Sequence, residues 1–283
     1  MNLKIYSLTA AMLVTLFLIP QTAEALTNTS WDSKTVLKGE VLIAKGETVT
    51  VAPNTKIKVA PGTKITVLGT LLAPSGLSIT GKSWTGLSVK GVAILNNFSL
   101  SGASTPFFVE STGSLTINQG KFNNLSGASN VEGWFIATGL TYEKPAGNGI
   151  NSNNPSASIA IENSTFTSSA KNNGDFFGLS GAKSFSLINS SITGVHCALH
   201  VQGVTNMKLE KDTISGNVYG FMMYGSSLDG KKTITHTTIK NNEYGIDEGS
   251  AKNQNGPIFI SNSTIKDNGK DLQLFTGAIK VKK

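Results

Sequence analysis

An all-β solenoid of stacked parallel coils is the fold class this sequence predicts, on three observations. Near the N-terminus apolar residues recur every eight positions. Val41, Val49, Ile57 and Ile65 form one series, and Ile43, Val51, Val59 and Val67 form another. Further along, a six-residue element recurs as IENSTF from Ile161, LINSSI from Leu187, LEKDTI from Leu209, ITHTTI from Ile234 and ISNSTI from Ile260, at steps of 26, 22, 25 and 26 residues. Gly, Ser, Thr and Asn are plentiful and long Leu/Ala/Glu/Lys runs are missing, which favours strands and turns over helices.

The two repeats describe one object. Each eight reads as a short alternating strand plus a turn, marked by Lys45-Gly46, Pro53-Asn54, Pro61-Gly62 and Gly69-Thr70. Three eights make one coil of the later length. The expectation is therefore a single-stranded parallel β-helix of about ten coils, with three short strands per coil, whose neighbours lie about 4.8 Å apart. An antiparallel sandwich would explain the alternation but not columns that repeat at 22 to 26 residues.

Taken in chain order, residues 1–25 read as a secretory signal. Lys4 precedes the apolar run from Ile5 to Ile19, Pro20 ends it, and Ala23-Glu24-Ala25 suits a signal peptidase. The run is shorter than the roughly 20 residues that span a bilayer, and no second run is long enough, so no transmembrane segment is expected after cleavage. The solenoid domain takes in 26–283. Residues 26–38 are its expected N-terminal cap, 140–158 (rich in Pro, Gly, Asn and Ser) an expected surface-loop insertion, and 276–283 its C-terminal end. Secretion places the mature chain outside the cell or on its surface, or in the periplasm of a Gram-negative cell.

Columns follow from the stacking. Asn163, Asn189, Lys211, His236 and Asn262 form one polar column at a bend, where asparagine tolerates the left-handed backbone. Asn217, Asn242 and Asn268 form a second. An apolar residue follows each motif by seven positions, as in Ile192/Leu199, Ile214/Phe221, Ile239/Ile246 and Ile265/Leu272.

These stretches resemble a known group. NSTIKDN, KNNEYGI and SGNVYGF are similar to the repeats of right-handed parallel β-helix proteins of the pectin-lyase-like superfamily. KGETVTVAPNTKIKVAPGTKITVLGTLLA and the step Trp84-Thr85-Gly86-Leu87 resemble the N-terminal coils of secreted members. The resemblance implies a right-handed solenoid over nearly all of the mature chain. It leaves function open, since that superfamily holds lyases, polygalacturonases, epimerases, tailspikes, adhesins and members without chemistry.

The chemistry those enzymes use is hard to find here. All 24 basic residues are lysines, so the arginine base of many such lyases is missing; a lysine could serve if burial lowered its pKa, but none sits in a visibly special setting. No Asp-Asp pair accompanies a Gly-His step, which removes the polygalacturonase pattern. No Asp-rich cluster suggests calcium, and neither a metal nor a cofactor is expected. Cys197, the single cysteine, reads as a small buried hydrophobe. The net charge of +7 is concentrated in residues 26–100, which could meet an anionic surface polymer. Nucleic acid fits poorly without arginine.

Aligning strands by the seven-residue offset puts Phe177, His200, Met222, Asp247 and Gln273 in one outward column, with Leu179, Gln202, Tyr224, Gly249 and Phe275 two residues further on. The expected ligand-binding set is Phe177, His200, Met222, Tyr224, Asp247, Gln273 and Phe275, aromatic rings between polar groups as sugar rings require. His200, Asp247 and Glu248 are the candidates for catalysis. Glu248 falls in the alternate, apolar column, and Gly249 is expected to end the strand and turn it outward. Buried without a partner, its pKa would rise. The reading is a non-catalytic protein that binds a polysaccharide or another surface polymer. The alternatives are a polysaccharide lyase or glycoside hydrolase, and a structural or adhesive subunit assembling through an exposed face or its coil ends.

Overall fold

The computed structural model describes residues 24–25, 30–144, 147–168, 173–225, 228–249 and 256–282. The apolar segment read as a signal, and Leu26–Thr29 of the expected cap, lie outside them. The described chain is an all-β parallel solenoid of about 11 turns, with no helix among the described residues. Each pairing between its strands is parallel, joining a residue to its equivalent about one coil later. That register excludes the antiparallel sandwich.

Three strands make a coil. In an early coil they are Lys64–Val67, Thr70–Ala73 and Leu77–Trp84; in a late one, Tyr219–Met223, Lys232–Thr235 and Thr238–Lys240. In some coils two strands run on as one, as in Val92–Ala103 and Asp175–Ile188. Alternation sets what each strand buries. Both series spaced by eight lie in the core, Val41, Val49, Ile57 and Ile65 together with Ile43, Val51, Val59 and Val67. Trp31 and Leu37 from the N-terminal segment are also buried, and Leu37 bridges Val59 at the start of the core.

Aromatic rings fill the middle coils. They touch in one chain through Phe98, Phe122, Tyr142, Phe176, Phe177 and Phe185, with centroids 5.1–5.6 Å apart. Burial drives the Tyr142 phenol pKa well above its ordinary value despite a hydrogen bond with Ser129.

The bends follow the expected columns. Asn163, Asn189, Lys211, His236 and Asn262 have φ of 51°, 49°, 59°, 52° and 50°. Beside them runs a buried ladder: the amide N–H of each coil donates to a side chain of the next, Ser164 to Ser190, Ser190 to Asp212, Asp212 to Thr237 and Thr237 to Ser263. The second asparagine column does the same, with Asn217 N and Nδ2 both 3.0 Å from Asn242 Oδ1. These bonds satisfy turn amides that the strand ladders leave over.

The segment 140–158 is not a surface-loop insertion. It holds the strands Thr141–Lys144, Ile150–Asn153 and the start of Ser158–Glu162, each paired with the coils on both sides. A turn at Asn154–Ala157 interrupts it, but Asn151 and Asn153 lie within a strand, and the alternation of Tyr142 and Lys144, buried, with Thr141 and Glu143, exposed, marks another.

Candidate functional site

One outward row crosses the face built from strands such as Ser129–Val131, Ile150–Asn153, the start of Asp175–Ile188 and Cys197–Val201. Register aligns Phe108, Asn130, Asn151, Gly178, His200, Met222, Asp247 and Gln273. Gly178 supplies no side chain, and the Asn151 amide, with Asn148 Nδ2 beside it, fills the space above it. A methyl group there would stand 2.6 Å from Asn151 Oδ1. Gly178 and this amide lie in the floor of a groove of ≈ 500 Å³, whose lining includes Asn130, Glu132, Asn151, Asn153, Asp175 and His200. From Phe108 to His200 it crosses five coils, about 19 Å at 4.8 Å per step.

The walls are hydrogen-bonded to one another. Asp175 Oδ2 lies 2.8 Å from His200 Nδ1, and its Oδ1 lies 3.5 Å from His196 Nδ1. Asp175 N donates to Asn148 Oδ1, and Asn148 Nδ2 donates to Asn151 Oδ1. With their inner atoms engaged, Asn151 presents its amide N–H groups and His200 its second ring nitrogen. Behind this wall Lys144 is buried and donates to the carbonyls of Gly147 and Asn173. Burial lowers its pKa to about 8, against the opposing charge of Asp175.

Tyrosines adjoin the wall. The Tyr224 ring lies 5.3 Å from that of His200, and Tyr219 lies 5.3 Å from His196. Tyr219 and Tyr244, on successive coils, stack at 4.8 Å with 11° between planes.

The expected binding set divides. His200 lines the groove and Tyr224 packs beside it, half-buried. Gln273 and Phe275 lie at the C-terminal end, away from the groove; Phe275 is exposed and Gln273 accepts a hydrogen bond from Lys270 Nζ. Phe177 is buried in the aromatic core and aligns with Leu199, not His200. Its neighbour Leu179 aligns with Val201 and is buried too. The cause is a longer connection after Phe166, which defeats the seven-residue offset in that coil. Met222 and Asp247 do occupy the outward row, yet both are nearly covered, at 6% and 4% exposure. An outward direction did not give a free side chain.

The three catalytic candidates do not converge. Asp247 is two coils from His200, and its Oδ1 accepts the Gly249 N–H at 2.8 Å. Glu248 does not turn outward: it is fully buried and points to the C-terminal segment, where Oε2 accepts the N–H groups of Phe275 and Thr276, each at 2.5 Å. The pKa rise expected of a buried, unpartnered carboxylate is reversed. Burial pushes it up, but the N–H groups of Thr276 and Phe275, with further bonds from the Thr276 hydroxyl and Ile279, bring the net shift below the ordinary value. Glu248 therefore holds a strand end in place.

Asp175 and the asparagines at 130, 148, 151 and 153 were missed. Asp175 was legible in principle, since it aligns with Cys197, one coil from both histidines. The shifted register hid it. Among the described residues no group of three or more His, Cys, Asp and Glu is arranged to hold a metal ion. Cys197 is buried, its Sγ donates to the Leu199 carbonyl, and burial pushes the thiol pKa well up, so it is inert.

Comparison with known families agrees with the architecture. A model described as a right handed beta helix region matches residues 124–282, more than half of the chain, and the chain belongs to that family. No curated protein and no solved structure matches it.

Proposed function

We propose that the protein is a secreted or cell-surface β-helix that binds glycans in the Gly178 groove, without catalysis. The observation that carries the reading is the groove itself. A slot about five coils long is walled by amides and a histidine, with Gly178 in its floor and the Tyr224 ring 5.3 Å from His200. Amides offer paired donors and acceptors to hydroxyls, and Tyr224, beside His200 at one end, offers a ring to sugar C–H groups. The hydrogen bonds among Asn148, Asn151, Asp175 and His200 fix these groups before a ligand arrives, which lowers the ordering cost of binding.

The test is a glycan array probed with the purified protein and with Gly178→Val, followed by product analysis of each hit. Retention that the variant loses, with intact products, is the expected result. Retention indifferent to the substitution would reject the groove.

A second reading rests on one contact. An aspartate 2.8 Å from a histidine Nδ1 is the arrangement that orients an imidazole for proton transfer. Unsaturated or shortened products that disappear in His200→Ala would establish that activity instead.

A further inference from the structure

We infer that the groove selects uncharged glycans over polyuronates and sulfated chains. The inference rests on the glycan reading above and specifies its ligand class. Charge is segregated along the chain. The chain carries 24 lysines among 283 residues and a net charge of +7, against which two carboxylates and no lysine in one slot run counter to the overall charge. Among the described residues that line the groove there is no lysine, while Glu132 and Asp175 are both present. Lysines gather elsewhere: Lys34, Lys56 and Lys58 line a separate depression of ≈ 420 Å³ in the N-terminal coils, with Ser78 and Thr80 as neighbours.

Recognition of a carboxylate or sulfate calls for charge-assisted donors. The cation nearest in function, Lys144, is buried behind the wall with its ammonium on two backbone carbonyls. Its charge offsets that of Asp175 but its N–H groups do not reach a ligand. Asn130, Asn151 and Asn153 supply neutral donors and acceptors, which match hydroxyls one for one. An acidic sugar would lose hydration against Glu132 and Asp175 with no paired cation in return, and that is a mechanism of rejection.

The test measures affinities of cellohexaose, xylohexaose and mannohexaose, and of hexagalacturonate and a sulfated hexasaccharide, at near-neutral pH. Wild type, Gly178→Val, Asn151→Ala and Glu132→Gln are compared; the second substitution guards against misfolding of the first. At least one neutral hexamer is expected to bind about tenfold or more tighter than both acidic ones. Its affinity should change less than about twofold on raising salt to roughly 0.5 M, as an uncharged ligand requires. Gly178→Val and Asn151→Ala should each weaken it, and Glu132→Gln should narrow the preference for neutral chains. Acidic binding that salt abolishes and Gly178→Val leaves alone belongs to the N-terminal lysines and agrees with the inference when a neutral hexamer binds the groove. Acidic hexamers that bind as tightly as neutral ones, and are lost with Gly178→Val, would overturn the selection while leaving a glycan groove. If no hexamer binds in a way sensitive to either substitution, the glycan reading fails and the selection with it.

Discussion

Asp212→Ser should convert a pH-dependent stability into a flat one. Asp212 is 1% exposed, in the ladder position that Ser164, Ser190, Thr237 and Ser263 occupy on other coils. The hydroxyl residues there accept an amide N–H from the preceding coil and donate to a carbonyl two residues back. The Asp212 carboxylate accepts from Ser190 N and Glu210 N but, ionised, has nothing to donate. Burial raises its pKa from 3.8 to about 7, against those two hydrogen bonds. Between the two values the folded chain keeps a proton that the unfolded chain has released, so stability falls as pH rises through this window. The gap corresponds to about 4 kcal/mol, fully expressed above about pH 7. Urea denaturation at about pH 4, 5.5 and 8 gives the difference between variant and wild type at each pH. The variant should match wild type within about 1 kcal/mol at the lowest pH and exceed it by about 2–4 kcal/mol at the highest. A difference that does not change with pH, or a variant weaker at pH 8, would refute the burial argument.

Further outcomes follow from the same contacts. Glu248→Gln should loosen the C-terminal strand Ile279–Lys282, read as faster proteolysis after Phe275, because charge-assisted bonds to two backbone N–H groups are lost. Its lowered pKa makes the carboxylate contribution present above the ordinary 4.5 and lost as pH falls through the lower folded value, so wild type should approach the variant in acid. Phe177→Ala should cost about 3–5 kcal/mol in denaturant melts, as removal of a buried ring does; a negligible loss would return Phe177 to the surface. Asn242→Ala leaves Asn217 N without its side-chain acceptor and Asn217 Nδ2 with only the Ile192 carbonyl at 3.4 Å, and should cost about 1–3 kcal/mol, with faster hydrogen exchange at Asn217.

The solenoid was legible because its cause is periodic. A column must be apolar at each coil to bury, and must tolerate positive φ at each coil to bend, so Val41/Ile65 and Asn163/Asn189 recur at the coil length. The groove was less legible because its cause is an exception to the period. Gly178 matters through what it lacks, and the strand that carries it is offset from the motif before it by an irregular connection. One residue of slippage put Phe177 outside and Gly178 inside, the exchange of faces that a period of two enforces. Glu248 was placed in the correct apolar column. Its burial is made tolerable by N–H groups of residues 27 and 28 positions away, which no local pattern displays.

If the groove at Gly178 is a ligand site, the side-chain amides that line it must respond when a ligand binds. The protein is labelled with ¹⁵N-asparagine and titrated with the neutral hexamer that binds tightest. Side-chain resonances of Asn130, Asn151 and Asn153 should shift with saturation, those of the buried ladder at Asn217 and Asn242 should stay fixed, and Gly178→Val should abolish the shifts. Shifts confined to other asparagines, or unchanged in the variant, would contradict a ligand site in the groove.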